Sequence, residues 1–390
     1  MNDRAVDRAA WENRDLEVGY DVPAEIGYLI EDIQTPALII DLDAFERNCD
    51  RMRNFVETMG LRLRAHAKTH KSADIALYQT TRGGACGVCC QKVSEADALI
   101  RAGVTDILIS NQVWGEKKME RLARLAKKAR VIVCVDDAAN VSDLSRIMTK
   151  NDVVLEVLVE IDCGAARCGT GPGIPAVELA KQIAASPNLE FAGIQAYNGP
   201  AQHIIDGEER RSAIAASTAK AEKTVSLLRN AGLECKIVGG AGTGTFNLEG
   251  TSGVYNELQC GSYIFMDTHY GMVRGEDGER IGGFENALFV LTSIMSRPEP
   301  GRAVCDAGLK AHSIDSGLPT VFDRTELAFV DASDEHGSIN DPEATLLLGE
   351  KLKLVPGHCD PTCNLYDWFV AVRDGKVEAL WPVTARGKLF

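Results

Sequence analysis

No apolar run in the 390 residues reaches the roughly 18 that a membrane-spanning helix needs. Net positive charge is lacking as well. The formal net charge is −14, which argues against non-specific attraction to nucleic acid or to an anionic membrane. The opening stretch MNDRAVDRAAWENRD is polar and lacks the apolar core of a secretory signal peptide, so the chain is expected in the cytoplasm. Also missing is any paired zinc-ribbon motif. CGVCC (86–90) and CDPTC (359–363) each space two cysteines closely, but neither has a second pair at the right distance. The twelve cysteines are spread through a long chain, as Cys134 in VIVCVD and Cys305 in AVCDAG show. They are expected as free, buried thiols rather than a disulfide framework. There is no low-complexity tract and no repeat beyond the rhythm described next.

What the sequence does contain is alternation. Strand-like runs PALIIDL (36–42), LRLRAHA (61–67), GVCC (87–90), DILISN (106–111), RVIVCVD (130–136), LEVLVEID (155–162), FAGIQAY (191–197), CKIVGG (235–240) and ELQCGSYIF (257–265) follow one another. Helical patterns such as KVSEADALIRAG (92–103) and ERRSAIAASTAKAEKTVSLLRNAG (209–232) separate most of them. Asp43 is placed to cap the first helix. Alternation at this spacing predicts parallel βαβ units. Without the first run, eight strands remain, the number a (β/α)8 TIM-type barrel requires. From about residue 285 the helical patterns fade and strands such as ALFVLTSIMS, RAVCDAG, ELAFVDAS and KLKLVPGH take over. RDGK (373–376) marks a hairpin turn inside DWFVAVRDGKVEALWPV. The expected organisation is an N-terminal tail over 1–30, a barrel over 31–280 and an antiparallel β domain over 281–390.

In such barrels reactive groups gather at the C-terminal ends of the strands. Those ends carry His66 and Lys68, Gln91, Asn111, Asp136, Arg167, Tyr197, the glycine-rich GGAGTGT (239–245), and Gly261 to Tyr263. The glycine loop lets backbone N–H groups approach a phosphate, with Thr243 or Thr245 adding hydroxyls, although a tight turn explains it equally well in isolation. It follows the seventh barrel strand, where barrels commonly bind phosphate. Lys68 stands among other cations (Arg62, Arg64, Lys71). That setting suits a lysine that reacts with an aldehyde, while its spacing alone favours a surface residue.

HAKTHK (66–71), EIDCGAARCG (160–169), QAYNGPAQH (195–203), GGAGTGT and LQCGSYIFMD (258–267), taken together, resemble fold-type III pyridoxal-phosphate (PLP) enzymes, the alanine racemase-like fold. DEHG (334–337) and PGHCDPTCN (356–364) narrow the resemblance to the D-threonine aldolase and D-serine dehydratase branch. DAGLKAHSIDSGLP (306–319) looks most like the hydroxyaspartate aldolases within it. The resemblance covers nearly the whole chain from about residue 33, and it moves PALIIDL out of the barrel into the β domain. It implies that Lys68 carries PLP, with His66, His70 and Lys71 as supporting charge. By the same resemblance Arg167 bonds the cofactor's phenolic oxygen and Tyr197 lies beside the pyridine ring. Gly242, Thr243, Gly261 and Ser262 hold the phosphate, with Tyr263 nearby.

His358 and Asp360 stand two apart in what reads as a strand end, so both point to one face and Cys359 turns away. Two ligands are too few for a closed site, and the pair spacing alone favours a structural histidine beside an acidic turn over a metal ligand. The resemblance makes the pair a metal site, and the oxygen ligand favours Mg²⁺ or Mn²⁺. The implied reaction is retro-aldol cleavage of a D-3-hydroxyamino acid, 3-hydroxy-D-aspartate giving glycine and glyoxylate. His203, or a water linked to His358, acts as the base. Gln91, His312 and Ser313 are expected to face substrate. The alternative for Lys310 is an ion pair with Asp306 or Asp315. D-Threonine aldolase and D-serine or hydroxyaspartate dehydratase are rival activities. A non-catalytic PLP carrier is the rival class, and residues 285–390 count against it. The family's dimers place the β domain over the neighbouring barrel's rim, so a homodimer with its site near the interface is expected.

Overall fold

The computed structural model describes residues 16–275 and 278–390; the polar stretch 1–15 and residues 276–277 lie outside the described residues. The strand β1 (Ala37–Asp41) stands apart from the eight that follow. Those eight are β2 (Arg62–His66), β3 (Ala85–Cys90), β4 (Asp106–Gln112), β5 (Arg130–Val135), β6 (Leu155–Glu160), β7 (Leu189–Gln195), β8 (Ile237–Gly240) and β9 (Glu257–Leu258). All neighbours pair in parallel, and β9 returns to β2 to close the barrel. Alternate residues on one strand face opposite ways. Val88 and Cys90 pack among residues of the surrounding helices, such as Leu99 and Leu122. Between them Cys89 joins Leu108, Ile132, Cys134, Leu158 and Ile237 in a separate cluster that fills the barrel. All twelve cysteines are free; Cys86 is exposed, Cys168 and Cys235 are half-buried, and the others are buried.

The remaining strands are β10 (Leu288–Glu299), β11 (Arg302–Cys305), β12 (Thr320–Val321), β13 (Ala328–Ala332), β14 (Gly337–Asn340), β15 (Lys351–Val355), β16 (Trp368–Arg373) and β17 (Lys376–Pro382). They form one nine-stranded sheet together with β1, which pairs antiparallel with β10 and parallel with β16. All other pairs in this sheet are antiparallel. The turn between β16 and β17 has Asp374 at φ 49 and Gly375 at φ 73. Two successive positive φ values are what a two-residue hairpin turn needs to match strand twist.

Two local expectations change. The first helix, Leu42–Met59, is capped by Asp41, whose carboxylate accepts from Ala44 N at 3.0 Å. Asp43 lies in the first turn and pairs with Arg373 instead. The described part of the expected tail is bonded into the β domain: Gly27 N donates to Val377 O and Ile30 N to Gly375 O, and Ala24 is buried in the same cluster as Ile39 and Val370. Among the described residues no helix is long and apolar enough to cross a membrane.

Candidate active site

The barrel's two ends treat charge differently. At the starts of the strands Arg64 is fully buried and bonds Glu257 at 2.8 Å and Asp106 at 2.5 Å. Arg130 joins the network through Asp106 at 3.0 Å and Glu156 at 2.7 Å, and Arg62 through Glu257 at 3.4 Å. The cations of LRLRAHAKTHK are thereby split, because a strand five residues long carries its two ends to opposite faces of the barrel.

At the other end, where β2 stops, a cavity of about 340 Å³ opens. Lys68, Arg167, Tyr197, Gly242, Thr243, Gly261 and Ser262, each expected there, line it. Gln91 lines it too. Lys68 forms an ion pair with Asp360, which arrives from the β domain. Burial pulls the lysine's pKa down, but Asp360 and Tyr197 outweigh it and hold the ammonium form. Asp360 itself is held below the usual carboxylate range despite its burial, by Lys68 and His358. Arg167 is about half exposed and lies over the Tyr197 ring, 5.6 Å from its centroid.

The neighbouring histidines are not the supporting charge expected of them. His66 is driven well below its ordinary pKa by burial and by Lys68, and its Nε2 faces Gln91 Nε2 at 2.9 Å and Ser110 Oγ at 3.3 Å. Burial lowers His70 to about 4, and it pairs with Gln79 at 3.2 Å. Lys71 is buried against Glu95. Burial decides protonation here, and the sequence shows only residue types.

Tyr263 is also elsewhere. It is fully buried, takes a hydrogen bond from Gln79 Nε2 at 3.0 Å and packs against Phe284. His312 is sealed inside the β domain with its ring edge-on to Phe329 at 5.2 Å, so it offers nothing to the cavity. Lys310 pairs with Glu335 at 2.6 Å, not with Asp306 or Asp315. Ser313 lies outside the cavity lining, with Oγ donating to Asp315 at 2.7 Å.

The fit to a phosphate-bearing cofactor rests on two features of the cavity wall. Thr243 Oγ1 is buried and has no hydrogen-bond partner among the described residues. Glycine is required beside it: a Cβ on Gly242 would stand 2.5 Å from Gln202 Oε1, and one on Gly261 2.5 Å from Thr69 Oγ1. A hydroxyl left open between two stretches of bare backbone suits an anionic group.

His358 and Asp360 do not sit on a strand. β15 ends at Val355, His358 is the residue before the short helix Cys359–Cys363, and Asp360 lies in that helix's first turn. Pro361 is tolerated in a first turn, which is why CDPTC folds this way. His358 Nδ1 meets Asp315 Oδ2 at 2.8 Å. A carboxylate on one ring nitrogen orients the imidazole and leaves the other nitrogen as a ligand, the usual support of a metal-binding histidine. Among the described residues no group of three or more His, Cys, Asp or Glu is gathered to hold a metal, so two protein donors would share their ion with water or substrate. His203 stacks face to face on His269, ring centroids 3.8 Å apart and planes 4° apart, and tilts against Tyr270 at 4.5 Å. Burial and the neighbouring His269, His358 and Lys68 lower its pKa to about 4, so the imidazole is held in its neutral form.

Sequence reasoning missed Ser110, Gln195, Gln259 and Tyr270, which also line the cavity. Gln195 and Gln259 exchange two hydrogen bonds, at 2.7 and 2.8 Å, beneath it. Gln195 is the last residue of β7 and Gln259 the first after β9, so the strand-end rule alone locates both. A larger cavity, about 770 Å³, is lined by Leu77, Trp368, Trp381 and Phe390, and its Arg101 and Arg121 both lean on Asp97. Lys388 lines it, but no histidine does, and it has no counterpart of the unpartnered Thr243 hydroxyl.

A parallel barrel with a lysine at the end of its first strand, capped by a β domain that brings an acid to that lysine, defines an alanine racemase-like protein. The comparisons agree. Residues 40–269 match the alanine racemase N-terminal domain and residues 287–372 a putative serine dehydratase domain. The chain belongs to this family, in the D-threonine aldolase and D-serine dehydratase-like branch that joins the two domains. It is 52% identical to a 3-hydroxy-D-aspartate aldolase of Paracoccus denitrificans over 95% of this chain and 97% of that one. It is 44% identical to a D-threonine aldolase of an Arthrobacter species over 94% and 96%. The solved structure of D-threonine aldolase from Filomicrobium marinum superposes with a TM-score of 0.92 at 48% identity, covering 95% of this chain and all of that one.

Proposed function

We propose that this protein cleaves 3-hydroxy-D-aspartate to glycine and glyoxylate by a retro-aldol reaction that depends on PLP and a divalent cation. One observation carries the reading: the Lys68–Asp360 pair, beside His358, joins the barrel site to the β domain. The relative with the matching activity is alike across both domains.

Lys68 would hold PLP, Thr243 with the backbone at Gly242, Gly261 and Ser262 its phosphate, and Arg167 and Tyr197 its ring. Bound PLP supplies an electron sink for the pair released when Cα–Cβ breaks. His358 and Asp360 would hold Mg²⁺ or Mn²⁺, which polarises the substrate's β-hydroxyl. Neutral His203 accepts the hydroxyl proton as the bond breaks and the aldehyde leaves, and a proton delivered to Cα then completes glycine. Gln91, kept in place by His66 and Ser110, presents its amide to the substrate's polar groups. A homodimer is the assembly that the family resemblance implies, and sedimentation of the loaded enzyme measures it; the polar N-terminus supports a cytoplasmic location.

D-Threonine cleavage is the second reading, favoured by the closeness of the solved D-threonine aldolase. An assay of glycine and aldehyde release from D-threonine and both diastereomers of 3-hydroxy-D-aspartate, with and without metal, tests both. Preference for D-threonine would replace the first reading with the second.

A further inference from the structure

We propose that His269 is a positioning residue: its ring is the shelf that holds His203 in the orientation proton transfer needs. The inference rests on the retro-aldol reading above. The ring of a working histidine is usually oriented by a hydrogen bond from Nδ1 to a carboxylate or carbonyl. His203 has none; its Nδ1 is buried without a partner among the described residues. What fixes the ring is contact through its faces and edges, with His269 parallel at 3.8 Å and Tyr270 inclined by 46° at 4.5 Å.

The shelf is itself anchored. Asp267 accepts from Tyr270 N at 2.8 Å and from Cys359 N at 2.9 Å. Thr268 N donates to Pro356 O at 3.0 Å and His269 N to Gly357 O at 3.3 Å. These bonds bind the short helix Thr268–Gly271 to the chain segment that carries His358 and Asp360. His203 hangs from the other side, at the end of the turn Pro200–His203 that follows β7. The stack therefore couples the base to the segment proposed to bind metal, and His269 itself lies outside the cavity lining.

The test uses the PLP- and Mn²⁺-loaded enzyme with whichever hydroxyamino acid the assay above shows it cleaves. His269→Ala is expected to lower kcat by about ten- to a hundred-fold while KM and the PLP absorption change little, the cost of a misplaced group. His269→Phe, which keeps a flat ring, should restore most of the rate. Spectra of ring-labelled histidine should show the His203 resonances moved in His269→Ala and close to native in His269→Phe. If His269→Ala does not accumulate, His269→Gln serves in its place. Native kcat in His269→Ala, or no rescue by phenylalanine, overturns the proposal. A His203→Asn control separates the two levels: if it keeps full kcat, the base assignment falls and this inference with it. If it is inactive while His269→Ala is native, the shelf alone is wrong.

Discussion

The two ends of the barrel hold the same kinds of ions in different states. At the strand starts every cation of the network has its carboxylates within the barrel itself, and Arg64 is raised far above its ordinary pKa by Glu257 and Asp106 in spite of burial. At the strand ends Lys68 pairs with Asp360, a residue from another domain, while a threonine hydroxyl and a histidine nitrogen have no hydrogen-bond partner among the described residues. A closed network stabilises a fold. An open set of polar groups costs about 1–3 kcal/mol for each one left unsatisfied, and it persists where something else is to fill it.

The sharpest test of that contrast is Lys68→Ala. It should abolish the visible absorption of bound PLP and essentially all turnover, with thermal unfolding close to native. A variant that kept a borohydride-reducible PLP adduct would place the cofactor on another residue. Metal removal is next. A chelator should remove activity without releasing PLP, Mn²⁺ or Mg²⁺ should restore it, and His358→Ala or Asp360→Ala should mimic the chelated enzyme. Full activity in either variant would make the pair structural.

The lower end should respond in the opposite sense. Arg64→Met leaves the buried Glu257 and the half-buried Asp106 with less compensation, so it should cost about 3 kcal/mol in denaturant-induced unfolding. Its kcat at 25 °C should stay near native. A large loss of kcat with unchanged stability would erase the distinction between the two ends.

Much of this was legible in the sequence, for reasons that can be named. The barrel strands show as short apolar runs because both of their faces are covered, and the RDGK turn because only residues tolerant of positive φ fit it. Lys68, Arg167 and Gly242 were found through motifs around strand ends. What stayed hidden depends on tertiary placement. Asp43 reads as the cap because the apolar run carries the strand through Asp41, and only where the strand ends shows that Asp41 caps instead. His358 and Asp360 look like strand residues until Pro361 is seen to sit in a helix's first turn. His66 and His70 read as cations because burial leaves no mark on residue type. The His203–His269 stack joins residues 66 positions apart, and no local pattern announces it.

His312 is the case that could break the rule drawn from the comparison. Both of its ring nitrogens are buried without a partner among the described residues, yet it lies outside the cavity. If unsatisfied polar groups marked function wherever they occur, His312 would read the substrate's distal carboxylate, as its sequence position suggests. Its burial predicts otherwise. His312→Leu should leave the ratio of KM for 3-hydroxy-D-aspartate to KM for D-threonine within about two-fold, a change of about 0.4 kcal/mol. The effect should appear in stability instead, and in its pH dependence. Burial lowers the His312 pKa to about 4, so the native state stays neutral while the unfolded chain takes up a proton below its ordinary value near 6.5. The neutral-state stability is thus fully present above about pH 6.5 and is lost as pH falls toward 4. His70, also near 4, contributes in both proteins and cancels in the difference. His312→Leu should therefore unfold at a higher temperature than the native protein at pH 5, with a smaller gap at pH 7.5. A substrate-selective rise in KM, with no gain at pH 5, would return His312 to the site and leave the open polar groups of this fold with one meaning.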